Sequence, residues 1–168
     1  MPDKLIVNGK EYRIIKLLGK GKGGYSYLAE ADSAQVVLKQ IHHEPCDYYT
    51  FGNKIEAERY DYKRLCDAGI RVPKMIDIDI SAERIVKEYI DGPTVMELKE
   101  ISGITEEYIS QARKMAEKAQ KAGLNIDYYP TNFVVQNEKI HYIDYECNEY
   151  SDEWSFENWG IKHWIDQK

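Results

Sequence analysis

The stretch from Gly123 to Glu146 constrains this chain most. Asp127 stands five residues before Asn132, the apolar run Phe133-Val-Val-Gln136 follows, and after a polar turn a second run climbs to Asp144. Two short β-prone runs around a polar pair predict a hairpin. A loop carboxylate at Asp127 can take the proton of an attacking hydroxyl. Asn132 and Asp144, at opposite ends of the hairpin, can share a divalent metal that carries phosphates. A second reading of the same residues is a surface loop and a hairpin whose polar groups cap turns, since Asp-x-x-x-x-Asn is a short pattern.

The 168 residues suit one domain or two small lobes sharing an interface, are enough for a real core, and exclude two large domains. A charged fraction of 31% with net charge -6 argues against a nucleic-acid or anionic-membrane binder. Any phosphate group must therefore be met by local chemistry. The three cysteines, Cys46, Cys66 and Cys147, form no C-x-x-C pair and fit a reduced interior. With no apolar run long enough to span a membrane and no basic start before an apolar stretch, a cytoplasmic protein is expected.

Tyr12 to Leu18 is β-prone and runs into Gly19-Lys-Gly-Lys-Gly-Gly24; Tyr25 to Glu30 and Gln35 to Ile41 are further strands, joined through a turn at Ala31-Asp-Ser-Ala34. A helix is expected from Phe51 to Ala68, with Ile55, Tyr62 and Leu65 on one face and Gly69 at its end. Met75 to Ile80 and Arg84 to Ile90 complete five strands, and Asp91-Gly-Pro93 reads as the linker between lobes. Beyond it, Thr94 and Glu97 have capping-box spacing for a helix to about Ile101, and Thr105 opens a longer helix buried through Ile109, Ala112, Ala116 and Ala119. A final helix is expected over Glu153 to Ile165, its tryptophans forming a docking face.

The glycine spacing Gly19-x-Gly21-x-x-Gly24 joins two strands and does not open a helix, and Val-Val-Leu-Lys39 ends the third strand 15 residues after Gly24. Glu58 shares the inward face of the predicted helix, whereas Glu56 projects towards solvent. Taken with Arg84 to Gly92 and the Asp127, Asn132 and Asp144 hairpin, these parts come in the order found in the protein-kinase-like superfamily, which the chain resembles over about residues 11 to 146. The resemblance implies ATP and Mg2+ as cofactors. Gly19, Gly21 and Gly24 would form a flap over the ATP phosphates, Lys39 held by Glu58 would grip them, and the backbone of Glu88 and Ile90 would meet adenine. Asp127 would act as base and Asn132 and Asp144 would hold metal, with Glu146 as a helper.

Several positions depart from the pattern. Lys87 stands where an apolar gatekeeper is usual, Asn125 replaces His, Ile126 replaces Arg, and Tyr129 stands where Ser/Thr kinases carry a Lys. Asp144-Tyr-Glu146 replaces Asp-Phe-Gly and is similar to choline and aminoglycoside kinases. The chain stops 24 residues after Asp144, which resembles reduced kinases of the RIO-like and lipopolysaccharide-core groups. The expectation is an α+β, minimal bilobal protein-kinase-like fold: a five-stranded antiparallel sheet plus one helix over residues 1–90, then a small, mostly helical lobe over 91–168. The expected reaction moves the γ-phosphoryl of Mg-ATP to a hydroxyl, most readily as a protein serine/threonine kinase-like activity. A nucleotide-binding pseudokinase and a small-alcohol kinase stand as alternatives. The expected partners are ATP and a hydroxyl-bearing acceptor, with no nucleic acid and no membrane span.

Overall fold

The computed structural model describes residues 1–44 and 53–165. The protein is α+β, with its main antiparallel sheet and most of its helices segregated along the chain. It divides into two compact units, Met1–Arg59 with Lys74–Tyr89, and Tyr60–Pro73 with Ile90–Lys168. Residues 60–73 fall with the second unit because Leu65 and Ile70 are buried in its core.

The first unit is one antiparallel sheet of strands β1 (Lys4–Val7), β2 (Lys10–Lys20), β3 (Gly24–Ala31), β4 (Ala34–Ile41), β5 (Met75–Asp79) and β6 (Arg84–Glu88), in the order β1-β2-β3-β4-β6-β5. Six strands replace the expected five. The added β1 is joined to β2 through Asn8 and Gly9, whose φ values of 48° and 82° make the tight turn that matches strand twist. The sheet curls: the Asn8 amide donates to Asp79 Oδ2 at 2.9 Å, its side chain to Asp77 Oδ1 at 2.8 Å and the Ile78 carbonyl at 2.9 Å, and Arg84 Nη1 to the Ile6 carbonyl at 2.7 Å. Tyr27 and Ala29 on β3 and Val36 and Leu38 on β4 alternate inward, and with Val7, Tyr12, Ile14 and Val86 they make the core.

Helix α1 (Lys54–Asp67) starts after Asn53, whose Oδ1 accepts the Glu56 amide at 3.2 Å. The expected first turn at Phe51 lies outside the described residues.

In the second unit, Thr94 and Glu97 form the expected capping box on α2 (Val95–Ile101), the Glu97 amide donating to Thr94 Oγ1 at 3.0 Å and the Thr94 amide to Glu97 Oε1 at 3.2 Å. Helix α3 (Glu106–Lys121) buries Ile109, Ala112, Met115 and Ala119. Met115, three residues after Ala112, takes the place expected for Ala116, which is only partly buried. Strand β7 (Leu124–Ile126) pairs with β10 (Cys147–Glu149), and β8 (Phe133–Gln136) with β9 (Lys139–Tyr142). The expected linker Asp91-Gly-Pro93 is packed, not loose. The Val135 amide donates to the Pro93 carbonyl at 2.9 Å, and a Cβ on Gly92 would come within 2.0 Å of the Val135 carbonyl oxygen.

The C-terminal helix is shorter than expected. A tight turn over Asp152–Trp154 and a wide π turn over Phe156–Gly160 precede α4 (Ile161–Trp164). Trp164 is core: its indole N–H donates to the Tyr128 carbonyl at 2.7 Å and its ring meets Phe133 and Phe156 edge-on. Trp154 is half exposed. Among the described residues, no helix is long and apolar enough to cross a membrane.

Candidate functional site

The residues singled out from sequence gather in two groups, one in each unit. In the first, Lys39 near the end of β4 and Glu58 on α1 form an ion pair with side chains only 14% and 13% exposed. Glu56, two residues earlier on the helix, pairs with Arg59 at 2.5 Å on the outer surface. The choice between the two glutamates follows from helical phase, since Glu58 lies on the side of the buried Ile55 and Leu65.

The glycine turn lies beside this pair. A Cβ on Gly23 would stand 3.6 Å from Lys39 Nζ and 3.7 Å from Glu58 Oε1. Gly24 is required by packing, because a Cβ there would fall 2.4 Å from the Gln40 carbonyl oxygen. At Gly19 and Gly21 a Cβ would meet nothing within 4 Å. Crowding therefore accounts for glycine at 24 and not at 19 or 21, where the chain surface stays open to an approaching ligand.

Two residues that sequence reasoning passed over hold this turn. His42 Nδ1 accepts the Glu44 amide at 3.2 Å, so its Nε2 carries the proton and donates to the Gly21 carbonyl at 2.9 Å. The His42 amide donates to the Gly23 carbonyl at 3.1 Å. Lys54, 3% exposed, donates to the carbonyls of Lys22 at 3.3 Å and His42 at 2.5 Å. Lys54 and Glu58 are four residues apart on α1, so one helix face holds both the turn and Lys39. The available signal was that spacing: a lysine one turn before an inward glutamate.

At the end of β6, the Glu88 amide donates to the Lys74 carbonyl at 2.8 Å. Ile90 is buried and belongs to the second unit. Lys87, 7% exposed, sits between Val37 and Met75 on the neighbouring strands.

In the second unit, antiparallel pairing of β8 with β9 brings the opposite chain ends of the hairpin together, and the Ile143 amide donates to the Asn132 carbonyl at 2.9 Å. Asn132 and Asp144 thus flank one end of the hairpin. Asn132 Nδ2 donates to the Asp127 carbonyl at 3.3 Å, which fixes the amide, and its oxygen accepts no hydrogen bond among the described residues. Asp127 is exposed; its Oδ1 accepts the Tyr129 amide at 3.1 Å, and Oδ2 accepts no hydrogen bond among the described residues.

Tyr142 is the hub of this group, and sequence reasoning gave it no role. Its buried hydroxyl accepts the Asp127 amide at 3.2 Å and donates to the Glu146 carbonyl at 2.8 Å. Burial pushes this phenol well above its ordinary range, and the carboxylates of Asp144, Glu146 and Asp127 push it further, against the Asp127 amide bond. All three acidic candidates therefore lie within electrostatic reach of one hydroxyl. The chain beyond Glu146 is tied to α1: Arg64 Nη2 bridges Asp61 Oδ1 at 2.7 Å and the Cys147 carbonyl at 3.2 Å. Asn125, 5% exposed, donates to the Ser151 carbonyl at 2.8 Å, and Ile126 is buried in β7.

The oxygen donors here suit a hard cation such as Mg2+. Among the described residues no three His, Cys, Asp or Glu side chains converge to hold an ion by themselves. Asn132 and Asp144, with Glu146 nearby, could hold one only if a ligand supplied further oxygens, which is how Mg2+ is commonly bound with phosphates. Compared with known proteins, the chain matches no family model, and its sequence finds no match among curated proteins.

Proposed function

We propose that the protein is an ATP-dependent phosphotransferase of protein-kinase-like fold, moving the γ-phosphoryl group of Mg-ATP to a hydroxyl, with a protein serine or threonine as the first acceptor to test. The observation that carries the reading is the Lys39–Glu58 pair beneath the glycine turn. A partly buried lysine held by a helix carboxylate beside a glycine turn is an arrangement suited to phosphate oxygens.

In the proposed reaction the acceptor oxygen forms a bond to the γ-phosphorus as the bond to the β–γ bridging oxygen breaks. The acceptor proton passes to Asp127, and ADP leaves with the electron pair. Asp127 orients the acceptor through the carboxylate oxygen left open, and the Tyr142 hydroxyl keeps its backbone in place. Asn132 and Asp144 would hold Mg2+, which supplies charge neutralisation of the phosphates when bound. Lys39 holds phosphate oxygens under the Gly19–Gly24 turn, while Glu88 and Ile90 offer backbone groups to adenine.

The test is transfer from γ-labelled ATP to cell lysate and to small alcohols in parallel, with Asp127→Asn beside the unaltered protein. The reading expects labelled acceptor from the unaltered protein and loss in the variant, with nucleotide binding kept. At about 100 times its dissociation constant, Mg-ATP should stabilise the fold by about 2.7 kcal/mol. Absence of any nucleotide effect would refute the reading. Nucleotide binding without transfer would favour a second reading, a nucleotide-binding switch, for which the Asn125 side chain tied to Ser151 in place of the usual histidine is the supporting observation.

A further inference from the structure

In the second unit, away from the residues discussed above, a cavity of about 260 Å3 is lined by Arg71, Lys114, Lys118 and Lys139 together with Glu107 and Gln111. Four cations against one carboxylate leave a local excess of three positive charges, in a chain whose net charge is -6. The cations come from three places: Lys114 and Lys118 from α3, Lys139 from the start of β9, and Arg71 from the segment after α1.

The frame of the cavity is fixed. Gln111 accepts the Ile140 amide at 2.9 Å and donates to the Glu138 carbonyl at 2.9 Å and to Glu107 Oε1 at 3.2 Å, joining α3 to the hairpin. Arg71 Nη1 donates to the Ile140 carbonyl at 3.3 Å. The three lysines form no ion pair among the described residues. Folding gives only a partial reason for them. Lys118 lies in the last turn of α3, where the helix dipole favours a cation. Lys114 precedes it by four residues on the same face, a like-charge spacing that disfavours the helix, and Lys139 and Arg71 add to the repulsion.

We propose that this cavity binds a compact oxyanion, a phosphate or pyrophosphate group carried free or on a small molecule, with Lys114, Lys118 and Lys139 as its charged donors and Arg71 beside them. Lysine heads on flexible stems suit a multiply charged phosphate approached from several sides. The volume falls below the usual range for larger organic ligands. A polymer backbone would need a track of cations and a basic surface, and the acidic chain argues against both. The proposal stands apart from the phosphotransferase reading, since it uses none of the same residues.

The full chain is titrated with inorganic pyrophosphate and with phosphate, without divalent metal, while amide shifts are followed by NMR. Saturable shifts at Lys114, Lys118 and Lys139 are expected, and the Lys114→Gln/Lys118→Gln variant should bind about tenfold more weakly or worse with a melting temperature no lower than that of the unaltered protein. Affinity should fall as salt rises. No saturable binding at millimolar pyrophosphate, shifts confined to residues 19–24, an equal response to chloride, or undiminished binding by the variant would each overturn the proposal. Binding of heparin or DNA without pyrophosphate would overturn it too. If Mg-ATP binding fails while these shifts remain, only the phosphotransferase reading falls.

Discussion

Replacing Lys39 by methionine removes the ammonium that faces Glu58 and keeps a side chain of similar length. The Glu58 carboxylate, 13% exposed, then has no other hydrogen-bond or ion-pair partner among the described residues. Removing one member of a fully buried pair costs about 3–5 kcal/mol, because the remaining charge stays desolvated and unpaired. Residual exposure lets water screen part of that, so about 2–4 kcal/mol is the expected loss. Adding Glu58→Leu removes the stranded charge and should return stability to within about 1 kcal/mol of the unaltered protein, since apolar replacement of both members is commonly near neutral. Urea denaturation of the four proteins in the cycle gives these differences, and thermal melting should fall by about 2–4 °C per kcal/mol at this size. A Lys39→Met protein within about 0.5 kcal/mol of the unaltered one, or a second substitution that deepens the loss, would refute the reasoning.

Gly24→Ala should cost about 2 kcal/mol or more, because its Cβ meets the Gln40 carbonyl, while Gly21→Ala should stay within about 0.5 kcal/mol in the same denaturation series. Tyr142→Phe strips the Asp127 amide and the Glu146 carbonyl of their shared partner and should cost about 1–3 kcal/mol, with faster hydrogen exchange at Asp127. Burial raises both Tyr128 and Tyr142 in the folded state, so the unfolded chain loses protons first as pH climbs. Stability from these phenols is complete below the ordinary tyrosine value near 10 and drains away above it, which alkaline melting curves should show. Burial, aided by the nearby Asp61, pushes the Cys147 thiol up to about 12, so alkylation at pH 8 should label exposed Cys66 well before Cys147.

Local signals carried well where chemistry is local. The capping box at Thr94 and Glu97, the turn at Asp32 and Ser33, and the inward phase of Glu58 depend on spacing within a few residues, and the structure has each. The missed β1 was readable too, since Asn8-Gly9 is a strong hairpin turn signal, but four residues of strand are easily passed over. Other features are tertiary. Lys54 reads as an ordinary surface lysine until the carbonyls of Lys22 and His42 come to it, and Tyr142 as one more strand aromatic until Asp127 and Glu146 converge on its hydroxyl. Asp91-Gly-Pro93 reads as a spacer, yet Gly92 is needed for close backbone packing against β8.

The curl of the first sheet bears on how the protein behaves in a crowded solution. A strand left open at a sheet margin is a template on which another molecule can add, and sheets of this size leave two such margins. Here the shortest strand is folded back and fastened to the far side through one asparagine and one arginine. Asn8 supplies three of these four hydrogen bonds, so its loss would leave the two margins less firmly held to one another and more open to such addition.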